Sequence, residues 1–164
     1  MTCSGKPARW ASVLMVGPAA LFGQTLALSP VTAAPGEFAV IQMSLSSAAG
    51  HQPVALQWDA VVPALLELQS DRIMRLTVAA QDAGKSLTCG RAQAAVGAQT
   101  VRCLLSGGQK PIPEGTIAIL SLRVRETAPP GPVTVRFEQA TAVDRDAKAS
   151  PVDPVETTVT VRAR

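Results

Sequence analysis

The stretch "PVALQWDAVVP" (Pro53–Pro63) alternates, with Val54, Leu56, Trp58 and Ala60 at even positions and Ala55, Gln57 and Asp59 between them. Side chains of a strand point alternately to the two faces of a sheet, so a period of two predicts a half-buried β-strand. The signal recurs along the chain, bounded each time by Gly, Pro, Ser or Asp. "FAVIQMSL" (Phe38–Leu45) places Ala39, Ile41, Met43 and Leu45 on one face, and "TVRCLLS" (Thr100–Ser106) groups Val101, Cys103 and Leu105, directing Cys103 to the core. "VTVRFEQ" aligns Val133, Val135 and Phe137, and "VETTVTVRA" aligns Val155, Thr157, Val159 and Val161. "GTIAILSLRVRE" (Gly115–Glu126) carries Ala118, Leu120, Leu122 and Val124 on one face, but its first half is apolar on both, as a central strand requires.

One segment fits two descriptions. "DRIMRLTVAAQDAGKSL" (Asp71–Leu87) reads as an amphipathic helix with Ile73, Leu76 and Ala80 aligned, or as a strand followed by one short helical turn. The second is favoured, because Thr77 and Val78 suit a strand and "AAQDAG" suits a turn of helix. No repeat of solenoid period and no long linker divides the chain. An all-β sandwich of two sheets follows, with roughly nine strands and one short helical turn.

The N-terminal residues follow a different rule. Lys6 and Arg9 precede "VLMVGPAALF" (Val13–Phe22), an apolar run of secretory-signal length and short for a membrane span. The expected division is a signal peptide over 1–25 and a single domain over 26–164; an N-terminal core helix or a retained anchor is the alternative. Cleavage falls between Ala19 and Ala27, and a cut within "TLA" (Thr25–Ala27) would trim the first strand. Loss of Cys3 with the signal leaves Cys89 and Cys103, an even pair suited to a disulfide in an oxidising compartment. Such a bridge contributes on the order of 3 kcal/mol by restricting the unfolded chain.

Removing the signal also leaves 13 basic against 12 acidic residues, a balance of +1 in place of the formal +3. Those basic residues form no cluster, so neither nucleic acid nor a membrane surface is an expected partner. The catalytic inventory is thin as well. With one His, no Tyr and the Cys residues paired, the usual nucleophile–base arrangements cannot be assembled, and the expectation is a non-enzyme with no catalytic residue, cofactor or metal site. Asp144 and Asp146 in "AVDRDAKAS" resemble a fragment of a calcium loop lacking its Gly and terminal Glu, and read as a turn. His51, beside Gly50, likewise reads as a turn residue.

Sugar-binding faces of sandwich modules stack ligands on several exposed rings. After the signal only Phe38, Trp58 and Phe137 remain, and Trp58 and Phe137 each share a face with aliphatic neighbours. Phe38 alone is free to face outward.

The order of segments carries a resemblance. "LALSPVTAAPGEFAVIQMSLSS", then "PVALQWDAVVPALLEL", then "GTIAILSLRVRETAPPGPVTVRF", then "AVDRDAKASPV" and a closing Val/Thr strand together resemble a cohesin domain over about Leu26 to Val161. The matching patterns are the "A-L-Q-aromatic" part of a "V-x-A-L-Q-aromatic" strand within Val54 to Asp59, the "P-x-x-L-x-L" corner at Pro63 to Leu68, and "G-x-I-A-x-L-x-L-x-V" at Gly115 to Val124, with Gly131 in the turn behind. The resemblance implies a jelly-roll sandwich, related in fold to certain carbohydrate-binding modules. It implies a secreted, periplasmic or cell-surface bacterial protein that binds a calcium-loaded dockerin-like module and assembles polysaccharide-degrading complexes. Carbohydrate binding is the alternative. The partner-binding residues are not identified at this level, although the second face of the opening strand, Ala55, Gln57 and Asp59, is the one to inspect if it is exposed.

Overall fold

The structure is a computed structural model and describes residues 23–69 and 73–163. The apolar run of the expected signal lies outside the described residues. Among the described residues twelve strands form two facing sheets, and one short helix lies outside them. The smaller sheet comprises β1 (Thr25–Leu28), β3 (Phe38–Ser46), β9 (Gly115–Val124), β5 (Leu66–Leu68) and β6 (Met74–Leu76). In the larger, β2 (Val31–Ala33), β12 (Val155–Val161), β10 (Gly131–Val143), β4 (Ala55–Pro63), β8 (Ala98–Ser106) and β7 (Ser86–Ala92) lie side by side, with β11 (Ala149–Pro151) paired to β10.

The chain crosses repeatedly from one sheet to the other, which is what joins the two layers into one sandwich. The first crossing is made at Ser29–Pro30. Proline cannot donate to a ladder, and Ser29 holds the break to β3 by a backbone bond to Gln42 O (2.9 Å) and by accepting the Gln42 amide on its Oγ (2.8 Å). Segment 73–82 follows the favoured order, β6 leading into α1 (Val78–Asp82), but the strand ends at Leu76, with Thr77 the helix N-cap and Val78 its first residue.

Several strands escape the alternation signal, and the count rises above the roughly nine expected, for a physical reason. β2, β5 and β11 are three residues each, too short to display a period, and β7 has no buried face from which a pattern could arise.

Between the sheets the alternating positions meet. Ala39, Ile41, Met43, Leu120 and Leu122 from the small sheet face Leu56, Trp58, Val101, Cys103, Val135 and Phe137 from the large one, nearly all fully buried. Trp58 and Phe137, on neighbouring strands, stack with centroids 6.1 Å apart and planes 21° from parallel. A bulge in β10 lies opposite Trp58. Glu138 pairs with Asp59 and Thr141 with Gln57, so Gln139 and Ala140 together oppose the single Trp58. Gln139 takes φ 51° there, which lets Phe137 and Ala140 both turn inward.

Candidate functional site

The outward positions of the large sheet form a grid fixed by strand register. One row runs Glu138, Asp59, Arg102, Gly90, and the next runs Thr141, Gln57, Leu104, Thr88 across β10, β4, β8 and β7. The grid floors a shallow groove of about 660 Å³ whose walls include Gln139 on one side and Gly90 to Gln93 on the other.

At its centre is an ion pair. Arg102 Nε donates to Asp59 Oδ1 and Arg102 NH2 to Oδ2, both at 2.7 Å. The two residues sit directly opposite on adjacent strands, where opposite charges attract across the ladder. Asp59 is nearly buried, with 8% of its side chain exposed, while Arg102 keeps 51%. The bonded carboxylate raises the Arg102 guanidinium above its ordinary value, first through the hydrogen bonds and then through charge. A guanidinium carries five N–H donors in a rigid fork. Two are taken by Asp59, and Arg102, half exposed, lines the groove with donors to spare. Leu104, 41% exposed, lies one row away and supplies apolar surface.

Of the residues singled out by alternation, Gln57 and Asp59 line this groove. Asp59 is a buried support and not an exposed contact, because Arg102 covers it. Arg102, Leu104 and Gly90 were not singled out. The alternation that turns Cys103 inward also turns Arg102 and Leu104 outward, but which strand lies beside β4 is written only in the pairing. Cys89 and Cys103 are joined directly beneath the grid.

The other candidates lie apart. Phe38 is 54% exposed on the outside of the opposite sheet, beside exposed Val40 and across from Arg123. Asp144 Oδ1 accepts the amides of Asp146 and Lys148 at 2.9 Å each, the bonding of a turn. His51 is exposed in a turn, its amide bonded to Ala48 O and its carbonyl accepting Gln24 Nε2. Among the described residues no three His, Cys, Asp or Glu side chains gather as metal ligands, and no helix is long and apolar enough to cross a membrane.

No family model and no curated protein matches the chain. Solved structures do. The sixth cohesin of Acetivibrio cellulolyticus scaffoldin B, solved with a Cel5 dockerin, is 16% identical at TM-score 0.67, the alignment covering 85% of this chain and 99% of that one. A non-cellulosomal cohesin from Archaeoglobus fulgidus gives 10% identity at TM-score 0.60 over 86% and 92% of the two chains. The cohesin module of a Clostridium perfringens family 33 glycoside hydrolase gives 11% at 0.63 over 85% and 96%. At these identities the likeness is one of fold, and the fold is that of cohesin modules.

Proposed function

We propose that this chain is a secreted, non-catalytic binding module whose large-sheet outer face docks a dockerin-like protein, calcium-loaded in its own right, within an assembly that acts on polysaccharide. The observation that carries the reading is the Asp59–Arg102 pair at the centre of an open groove, on a fold shared with modules that include dockerin-bound examples. Arg102 lines the groove with donors to spare, and the neighbouring Leu104 offers the apolar contact that a protein interface needs at its core. A leader ending ahead of β1 would deliver the domain to the cell surface or periplasm.

Calorimetric titration with calcium-loaded dockerin modules tests the reading. Binding is expected with the intact protein, and Arg102→Ala is expected to weaken it by about 30-fold, the loss typical of an interface hot spot. Gly90→Phe is the complementary block. An added Cβ at Gly90 meets nothing within 4 Å, so the ring projects over the groove without disturbing the sheet. If Gly90→Phe binds as well as the unaltered protein, the docking face is elsewhere.

Phe38 supports a second reading, carbohydrate binding on the opposite sheet, since it is an exposed ring beside exposed Val40. Retarded migration in polysaccharide gels, abolished by Phe38→Ala, would establish it in place of the first.

A further inference from the structure

Strand β7 differs from the other strands of the sandwich. Each other strand of four or more residues buries at least two side chains, whereas β7 buries none. It is an edge strand, paired in its sheet to β8 alone. Gly90, just past its middle, contributes no packing and weakens a strand. Yet β7 and the residue after it supply Thr88, Gly90, Arg91, Ala92 and Gln93 to the wall of the groove.

The start of β7 is pinned. Lys85, just before it, is 5% exposed and donates from Nζ to Val54 O (2.9 Å) and Gly107 O (2.6 Å). Past the β7–β8 ladder the next anchor is Gly97, whose carbonyl accepts the Ala64 amide at 3.0 Å, and Val96 just before it is fully exposed. Between these anchors the inward-facing side chains are Leu87 and Cys89, each only partly buried. Cys89 is bonded to Cys103, itself fully buried in the core and across from Trp58. Beyond its backbone ladder to β8, which runs to Ala92 opposite Thr100, the second half of β7 is therefore tied to the core by one covalent bond.

We propose that the Cys89–Cys103 disulfide is a redox gate on the docking face, which rests on the reading above for what docks there. Oxidised, it clamps β7 and completes the groove wall. A dithiol breaks the S–S bond by thiolate attack through a mixed disulfide. Two electrons and two protons pass to the protein, Cys89 and Cys103 become thiols, and the reductant leaves as its own disulfide. The reduced strand frays from Gly90 onward while the core, built from other strands, stays closed. The module thus becomes competent to dock only after oxidation, that is, after export.

Amide hydrogen exchange on the intact, partner-free protein tests the gate. The Cα atoms of Cys89 and Cys103 lie 4.2 Å apart, the spacing of a non-hydrogen-bonded pair, so Gly90 and Ala92 fall in the bonded pairs with Arg102 and Thr100. Their amides are expected to exchange at least tenfold faster after reduction, with β3 and β9 unchanged. The double substitution Cys89→Val with Cys103→Val, which keeps an apolar cross-strand contact without the bond, should match the reduced protein. Unchanged exchange at Gly90 and Ala92 would overturn the gate, and so would a uniform loss of protection, which marks a global staple. Equal dockerin affinity of the oxidised and reduced forms would overturn it too. If the oxidised protein binds no dockerin, the proposed function falls and the gate is judged by exchange alone.

Discussion

Trp58 shows how much one residue can report. Alternation places it on the inner face of β4, and in the structure it is fully buried, stacked on Phe137 and across from Cys103. With so few rings in the chain, it is the largest plug in a core of Val, Leu, Ile and Ala. Trp58→Ala is expected to cost about 3 to 5 kcal/mol, read from the shift in denaturation midpoint at constant slope. Among the described residues the indole Nε1 has no hydrogen-bond partner, and a buried unpaired donor is itself unfavourable. Trp58→Phe, which removes that donor and keeps a ring against Phe137, should therefore cost well under half as much. A loss equal to that of the Ala variant would show that the indole's volume alone matters. Asp59 makes the opposite point at the same scale. Its position on the outer face was legible, but its burial under Arg102 was not, because a strand's period says nothing about which side chain from the next strand covers it.

At the scale of elements, legibility follows from how a strand is held. β3, β4, β8, β9, β10 and β12 alternate because one face of each is buried. The missed pieces are secured by other means. β2 is joined to β12 in parallel register and β7 by a disulfide, neither of which leaves a hydrophobic period. The turn between β2 and β3 is secured electrostatically. Glu37 Oε2 accepts the Ala34 amide (2.8 Å) and the Arg162 NH2 group beyond β12 (2.9 Å). The Ala34 amide first, and Arg162 after it, hold the Glu37 carboxyl below its ordinary value. A carboxylate with a lowered native pKa contributes stability at pH above its unfolded value, and that contribution disappears as pH falls through the native one. Thermal melts should thus show the unaltered protein above Glu37→Gln at neutral pH, with the two converging as acid is added below about pH 4. A gap that persists to the lowest pH would assign the effect to packing.

At the scale of the whole molecule, the two sheets present unlike outer surfaces. The large one carries the ion pair and groove, the small one exposed Phe38 and Val40. The structure also bounds where a leader, if cleaved, could end. Leu26 and Leu28 are buried in the core, and β1 pairs with β3 from Thr25 onward. A cut within Thr25–Ala27 would strip the first strand from the sandwich. Intact-mass analysis of the exported protein should accordingly place the new N-terminus at or before Gln24, and should read two hydrogens fewer than after reduction. A start beyond Gln24 would contradict the first expectation, and two free thiols the second.

The period of two, the placement of Pro and Gly, and the inward positions of Trp58, Phe137 and Cys103 were determined by the sequence itself. Side-chain direction in a strand is a local property, and burial of one face imprints it on the residues. Which strands lie side by side is not local. Only the tertiary structure brought Arg102 onto Asp59, set Gly90 beside them, and left β7 at an edge with a single covalent tie to the core. Those pairings arise from contacts between distant segments, and no stretch of the chain encodes them alone.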